Sequence, residues 1–318
     1  MEKIGFIGLG NMGVNMAKNI QKAGYPMVVL DIRKEAEAEL VAKGAQSAKT
    51  PAEVAKLCDI VFTSLPGPQQ VEAIALGKDG LIEGIRSGVV YVDLSTSSAS
   101  LIRRISAEFA KKGVQVADGP ISGGVNGAIS GNLAIMFGGD KATFEKITPV
   151  LKSFGNKLLY CGTVGAGSIC KAAHNMVTII TSQTLAEAFT MALKAGVEPQ
   201  AVFDAIRKGG VGRMGVLHDQ LPATLFQEKF EPPRFALALA TKDLKLATTA
   251  GREYQTPMPV ANLVEQMMVE AMNRGWGNKD FTTYMMLQEE AAGVKMRIPG
   301  IDTVAASKLV IFNPEALK

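Results

Sequence analysis

Short apolar runs alternate with amphipathic stretches over the first half of the chain. Seven runs have the length and β-branched content of buried strands: Ile4 to Gly8, Met27 to Asp31, Ile60 to Leu65, Val89 to Leu94, Val114 to Ala117, Leu133 to Phe137 and Lys157 to Cys161. Between them, Met12 to Ala23 and Ala99 to Lys112 repeat their apolar residues at helical spacing. Such alternation is typical of a parallel sheet wound with helices. The pattern predicts an α/β domain over residues 1–163.

The pattern changes near Gly165, where the β-branched clusters stop and long Ala-, Leu- and Met-rich segments begin. Ala166 to Ala195 is long enough for one helix of about 45 Å, which we expect to join two domains. Prolines punctuate the segments after it, consistent with helix starts and breaks: Pro199, Pro222, Pro232, Pro233, Pro257 and Pro259. We therefore expect an all-α domain over residues 164–293 and a loosely structured extension over residues 294–318.

Composition narrows the class of protein. The 318 residues are 47% hydrophobic and 20% charged, which is a globular composition for a chain too long for one typical core. We see no apolar run that would cross a bilayer and no signal peptide, so we expect a cytoplasmic protein without a membrane partner. The net charge of +4 is spread over mixed-sign segments, which disfavours nucleic acid as a partner.

The same composition disfavours a metal centre. Three cysteines lack CxxC spacing, and the chain has only two histidines, His174 and His218. Neither a disulfide framework nor a metal site is expected, which leaves an organic cofactor as the better candidate.

A glycine motif follows the first predicted strand directly and precedes a helix. Gly8, Gly10 and Gly13 have the G-x-G-x-x-G spacing, with Asn11 and Met12 in the same loop. These glycines allow a tight turn, close approach of a pyrophosphate, and packing of the helix on the strand. The helix amino terminus then favours the phosphate charge. The motif predicts a Rossmann dinucleotide-binding domain at the amino terminus.

Asp31 ends the second predicted strand, where an acid accepts hydrogen bonds from the adenosine ribose. A carboxylate there repels the 2′-phosphate of NADP, so we expect NAD as the cofactor and NADP as the less favoured one. The next residue, Ile32, is neutral. Arg33 and Lys34 leave a phosphate possible, although both also suit a solvated helix start.

Several further motifs occur in a fixed order after the glycine loop: Ser64-Leu65-Pro66, Asp93-Leu94-Ser95-Thr96, Asp118-Gly119-Pro120-Ile121-Ser122-Gly123-Gly124, Gly165-Ala166-Gly167 leading to Lys171 and Asn175, and Lys242-Asp243-Leu244. Over residues 3–293 the chain resembles the β-hydroxyacid dehydrogenase family, which includes 3-hydroxyisobutyrate dehydrogenase, tartronate semialdehyde reductase and relatives of 6-phosphogluconate dehydrogenase. The resemblance implies hydride transfer between a nicotinamide cofactor and a small hydroxy acid or its semialdehyde.

The resemblance also implies roles for individual residues. Lys171 would exchange a proton with the substrate oxygen, and Asn175, one helical turn on, would hold the substrate beside it. Ser122, Gly123 and Gly124 would bind the substrate carboxylate, since a hydroxyl and unobstructed backbone N–H groups form an anion nest.

Other matched positions concern the nicotinamide end of the cofactor. Leu65, Pro66, Ser95 and Thr96 would lie beside the nicotinamide. Lys242 would lie near both the nicotinamide and the substrate, with Asp243 in the same network; a purely structural salt bridge is the other reading of this pair.

The chain departs from the family pattern at Gly119, where many relatives have alanine, and at two further places. His174 replaces the first of two consecutive asparagines; we expect it to be a histidine packed in the core of the helical domain, or else a residue that tunes the pocket. Arg213 stands where relatives have a Ser-rich run, as a contact for an extra anionic group or an exposed arginine. The substrate therefore stays open.

Two other functions are possible. An imine reductase shares the architecture, but such relatives generally replace the lysine that Lys171 matches. A non-catalytic dinucleotide-binding scaffold would have lost that lysine or the Ser122 loop, and both are present. Family analogy also implies a homodimer or homotetramer.

Overall fold

The structure is a computed structural model that describes residues 1–301. The chain divides into two compact units, Met1–Val177 and a second unit that begins at Thr178. This division falls inside one long helix, and the predicted boundary at residues 163/164 stays a prediction.

One sheet forms the centre of the first unit. Its strands, among the described residues, are β1 (Ile4–Ile7), β2 (Met27–Leu30), β3 (Gln46–Ser47), β4 (Ile60–Thr63), β5 (Val90–Asp93), β6 (Gln115–Asp118), β7 (Ile121–Ser122), β8 (Leu133–Gly138) and β9 (Gly155–Gly162). Their order is β3-β2-β1-β4-β5-β6-β8-β7, with β9 paired to β8. The strands from β3 to β6 are parallel, whereas β8 runs antiparallel to β6 and β7.

Helices connect these strands and cover the sheet. They are α1 (Gly13–Lys22), α2 (Ala38–Ala42), α3 (Pro51–Leu57), α4 (Pro68–Leu76), α5 (Leu81–Gly84), α6 (Ala99–Ala110), α7 (Gly124–Ser130) and α8 (Lys141–Leu151). Alternate strand residues enter two separate cores, since side chains alternate between the faces of a strand. Phe6 and Phe62 pack in one core, and Val61 and Tyr91 in the other. Because both faces are buried, the strands read as continuous apolar runs.

The sheet confirms the predicted α/β class, and all seven predicted strands are present with small shifts at their ends. β3 and β7 were not predicted, because a strand of two residues carries no periodic signal. β3 pairs parallel with β2 at one edge of the sheet, and β7 pairs antiparallel with β8.

A long helix follows the sheet. α9 (Ala166–Lys194) has 29 residues and ends one residue before the prediction. The second unit continues with α10 (Pro199–Lys208), α11 (Leu221–Ala223), α12 (Leu237–Glu253), α13 (Pro259–Asn273) and α14 (Met286–Ala292). Pro199 and Pro259 each lie in the first turn of a helix, as predicted. Residues 294–301 lie outside helices and strands, and the rest of the predicted extension lies outside the described residues.

The helices of the second unit pack around a small core. Leu237 of α12 packs with Met268 of α13 and Leu287 of α14. Glu187 of α9 is buried and accepts hydrogen bonds from the backbone N–H groups of Val260 and Ala261 at 3.0 and 3.1 Å. These two N–H groups have no partner within the first turn of α13, and the Glu187 carboxylate accepts their hydrogen bonds. Glu187 therefore fixes α13 against α9.

Among the described residues, α9 is long and apolar enough to cross a bilayer by length and composition alone, with a mean hydropathy of 1.2. The prediction from apolar runs did not indicate this helix, because polar residues scattered through the segment interrupt any continuous apolar run. One such helix is weak support for a membrane span, because a core helix of a globular protein meets the same criterion.

Candidate active site

A cavity of about 790 Å³ lies at the carboxyl ends of β1, β2 and β4. Its walls include the whole predicted glycine loop together with Asp31, Leu65 and Pro66 from the predicted cofactor site. The ends of parallel strands at this position are where doubly wound folds bind dinucleotides. The structure thus brings together most of the cofactor-binding residues that the sequence predicted.

The backbone of the loop shows why glycine is needed there. Gly8 has φ +93°, and a Cβ on Gly13 would lie 2.0 Å from the Gly8 carbonyl oxygen. A Cβ on Gly10 would meet nothing within 4 Å, so this position keeps the backbone open to the cavity. The close approach of Gly13 to Gly8 packs α1 against the loop, and the open position at Gly10 is suited to a pyrophosphate. These residues fit a nicotinamide dinucleotide.

Asp31 is only 8% exposed and is held by the backbone. Oδ2 accepts from the Leu9 N–H at 2.6 Å, and Oδ1 accepts from the Arg33 N–H at 2.8 Å. Each carboxylate oxygen has a second lone pair, so both retain capacity for a ribose hydroxyl. The carboxylate therefore orders the loop after β1 as well as lining the cavity.

The cationic side chains near Asp31 differ in how firmly hydrogen bonds hold them. Lys34 Nζ donates to Glu37 Oε1 at 2.7 Å and to the Ala48 carbonyl oxygen at 3.0 Å, so its ammonium is held in place. Arg33 Nε lies 3.6 Å from Asp31 Oδ1. Lys49 also lines the cavity and was not predicted; its only sequence signal is a cation shortly before the helix that begins at Pro51.

Ser95 and Thr96 are placed differently from Leu65 and Pro66. They are not among the residues that line the cavity. Ser95 is buried, and its hydroxyl accepts a hydrogen bond from the Leu65 N–H at 2.9 Å. Its own N–H donates to Asp93 Oδ1 at 3.1 Å. Ser95 thus connects the loop after β4 to the loop after β5.

The start of α9 is fixed to the sheet by a buried carboxylate. Asp118, at the end of β6, accepts from the Gly165 N–H at 2.6 Å through Oδ1 and from the Ser168 N–H at 2.5 Å through Oδ2. A Cβ on Gly167 would lie 2.1 Å from the Met136 carbonyl oxygen, so the helix approaches β8 closely. Because Lys171 is one turn further along α9, Asp118 fixes the backbone that carries it.

Lys171 is buried within this packing, with 9% of its surface exposed. Burial alone lowers the pKa of its ammonium, since removal of water disfavours the charged form. A lowered pKa makes the neutral amine, which can accept a proton, more accessible than it is in a solvated lysine.

The Ser122 loop lies close to the same part of α9. Gly123 and Gly124 have φ +137° and +63°, which L side chains rarely adopt. Ser122 Oγ lies 3.4 Å from His174 Nε2, and His174 Nδ1 lies 3.2 Å from Asn175 Oδ1. His174 is exposed and its ring contacts Ser122, so the expected position in the core of the helical domain is wrong.

The remaining predicted residues lie in the second unit. Lys242 Nζ and Asp243 Oδ1 of α12 form a salt bridge at 2.8 Å, with both side chains more than half exposed. Arg213 and His218 line a separate cavity of about 650 Å³ that Phe235 and Phe281 also border. The roles predicted for Lys242, Asp243 and Arg213, and for Lys171, Asn175 and the Ser122 loop, stay predictions. Residues 1–301 contain no group of three or more metal-binding side chains.

The sheet, the glycine loop and its cavity define a nicotinamide-dependent oxidoreductase with an amino-terminal Rossmann domain. A family model described as the NAD-binding domain of 6-phosphogluconate dehydrogenase matches residues 3–162. A second, described as NAD-binding of NADP-dependent 3-hydroxyisobutyrate dehydrogenase, matches residues 165–287. The chain belongs to the β-hydroxyacid dehydrogenase family and is an NAD-dependent enzyme. The predicted family, fold class and cofactor are thus confirmed.

Relatives match over nearly their whole length. The chain is 35% identical to 2-(hydroxymethyl)glutarate dehydrogenase of Eubacterium barkeri, covering 92% of this chain and 97% of the relative. It is 31% identical to the NAD-dependent L-serine dehydrogenase of Pseudomonas aeruginosa, covering 92% and 100%. An imine reductase of Myxococcus stipitatus in complex with NAD+ superposes with a TM-score of 0.80 at 22% identity, covering 91% and 99%, which shows a common fold alone.

Proposed function

We propose that the protein oxidises a small β-hydroxy acid to its semialdehyde or oxo acid, and catalyses the reverse reduction, with Lys171 as the general acid and base. NAD supplies the hydride acceptor, and its reduced form supplies the hydride donor. In the oxidative direction the neutral Lys171 amine accepts the hydroxyl proton as the C–H bond breaks. In the reductive direction the ammonium returns that proton to the carbonyl oxygen.

The observation that carries this proposal is the burial of Lys171 on a fixed helix. Burial lowers the pKa of the Lys171 ammonium, so the neutral amine is more accessible than it is in a solvated lysine. Asp118 and the close approach of Gly167 to β8 hold the helix turn before it. A fixed backbone keeps the amine at a constant position, as proton transfer requires.

The proposed substrate class follows from the Ser122 loop and from the relatives. The names of the two curated relatives specify 2-(hydroxymethyl)glutarate and L-serine, both small hydroxy acids. In this chain Ser122 offers a hydroxyl and Gly123 a backbone without a side chain, which suits a carboxylate. We propose that the acid group binds there and that Asn175 holds the substrate beside Lys171.

Residue chemistry favours this function over the two alternatives. An imine reductase has a comparable fold, but the lysine that suits proton exchange with a hydroxyl oxygen is retained here. A non-catalytic scaffold would give no reason for a buried lysine with a lowered pKa. We also propose that the protein is cytoplasmic and, as the family resemblance implies, a homodimer or homotetramer. Light scattering on the purified protein tests the oligomeric state.

The experiment compares Lys171→Ala with Lys152→Ala, a matched change at an exposed lysine at the end of α8. Turnover is followed by nicotinamide absorbance on a panel of hydroxy acids, and NAD binding by calorimetry. We expect Lys171→Ala to lose about 10²- to 10⁴-fold in turnover with NAD binding intact, because only the proton partner is removed. Wild-type turnover in Lys171→Ala would refute the proposal, and a loss in Lys152→Ala would show that the effect is unspecific.

A further inference from the structure

His174 lies between two residues that the proposed function assigns to the substrate. Its Nε2 is 3.4 Å from Ser122 Oγ, and its Nδ1 is 3.2 Å from Asn175 Oδ1. One imidazole ring thus contacts the residue expected to bind the substrate acid and the residue expected to hold the substrate. The ring nitrogen that carries the proton determines which hydrogen bonds Ser122 and Asn175 can make with His174.

The contact with Asn175 limits the proton positions on the ring. An amide oxygen only accepts hydrogen bonds, so Nδ1 carries the proton when it faces Asn175 Oδ1. In a neutral ring Nε2 is then an acceptor and takes the single hydroxyl proton of Ser122. A serine whose proton is used in this way has none to donate to a substrate carboxylate.

One arrangement of the neutral ring releases the Ser122 proton. In it the Asn175 amide is reversed so that its N–H donates to Nδ1, and the ring keeps its proton on Nε2. Nε2–H then donates to Ser122 Oγ, which leaves the Ser122 hydroxyl proton directed away from the ring.

We propose that His174 is a positioning residue that sets the donor direction of the Ser122 hydroxyl, so that Ser122 donates to the carboxylate of the substrate. This inference rests on the proposed function, in which Ser122 binds the acid group. His174 therefore affects recognition of the acid through Ser122, and the proton exchange at Lys171 does not involve it.

The test uses three variants at residue 174 and one at its partner. His174→Phe keeps a ring without a nitrogen, His174→Gln places an amide N–H where Nε2 was, and His174→Asn gives a shorter amide. Ser122→Ala removes the hydroxyl itself. For each variant, kcat and KM are measured on the best hydroxy acid of the panel and on its methyl ester, with NAD affinity as the control for folding.

We expect His174→Phe to raise KM for the acid about three- to tenfold, with a much smaller change for the ester and in kcat. His174→Gln should restore most of the KM, because its amide can donate to Ser122 Oγ. Ser122→Ala should raise KM for the acid about ten- to hundredfold, since it removes a hydrogen bond to a charged group. In the double variant His174→Phe/Ser122→Ala, KM should equal that of Ser122→Ala alone, because His174 acts through the hydroxyl.

Three results would overturn the inference while leaving the reaction at Lys171 in place. These are an equal rise in KM for acid and ester, effects that add in the double variant, and an unchanged KM for the acid in Ser122→Ala. Absence of turnover of every hydroxy acid would instead refute the proposed function, and the inference with it.

Discussion

Asp93 is a buried carboxylate whose charge opposes folding. It ends β5 with no exposed surface, and Oδ1 accepts from the Thr63 hydroxyl at 2.8 Å and from the Ser95 N–H at 3.1 Å. Oδ2 has no hydrogen-bond partner within residues 1–301. Asp118 faces it in register on β6. Burial, with a smaller contribution from the charge of Asp118, raises the pKa of Asp93 from 3.8 to about 6.

The sign of the pH dependence follows from this raised pKa. Between about pH 4 and pH 6 the folded protein holds the Asp93 proton and the unfolded chain has lost it, so stability falls as pH rises. At about 1.4 kcal/mol for each pH unit, the ionised carboxylate costs the folded protein about 3 kcal/mol above pH 6. Asp93→Asn keeps an oxygen for Thr63 and Ser95 and removes the charge. The gain in free energy of unfolding should therefore grow from pH 4 to pH 6 and stay constant above it.

The assay is urea unfolding followed by circular dichroism between pH 4.5 and pH 8, on the wild type and Asp93→Asn. Asp59→Asn is a control of opposite sign, because hydrogen bonds from the Lys3 backbone and Arg86 lower the pKa of Asp59. That variant should lose stability relative to the wild type as pH rises. A difference between Asp93→Asn and the wild type that is the same at every pH would refute the reasoning.

Three further predictions concern the cofactor site and the start of α9. Asp118→Asn should lower the free energy of unfolding by about 1 to 3 kcal/mol, because its single amide oxygen leaves one of two buried N–H donors unpaired; unchanged urea unfolding and unchanged kcat would contradict it. Gly13→Ala should abolish most NAD binding in calorimetry, since its Cβ would lie 2.0 Å from the Gly8 carbonyl oxygen; wild-type affinity would contradict it. Asp31→Asn should narrow the preference for NAD over NADP in kcat/KM, and Arg33→Ala should widen it; equal use of both cofactors by the wild type would refute this prediction.

Local sequence signals predicted the features that depend on neighbouring residues. The glycine loop was predictable because its spacing, the preceding strand and the following helix all lie within Ile4 to Lys22. The bounds of α9 were predictable because its Ala- and Met-rich composition continues without a break to Lys194.

Features that join distant segments were not predictable in the same way. Asp118 accepts hydrogen bonds from residues 47 and 50 positions away, and no local pattern marks a carboxylate that caps a distant helix. Ser95 is predicted to approach the nicotinamide, which stays a prediction, and its hydrogen bond from the Leu65 backbone thirty residues away had no signal in the sequence. His174 was misplaced for the same reason, because the side of α9 that meets Ser122 depends on how the helix leaves the sheet.

The uninterrupted course of α9 has a consequence for how this enzyme can be divided. The boundary between the units falls at Val177/Thr178, in the middle of a helix and not in a linker. A fragment cut there would place Asn175 in a final helical turn whose carbonyl groups lack partners, where the backbone frays. A dinucleotide-binding fragment expressed alone therefore needs the helix to continue past Val177. For the same reason, chimaeras that exchange the helical unit between relatives should be joined outside Ala166 to Lys194.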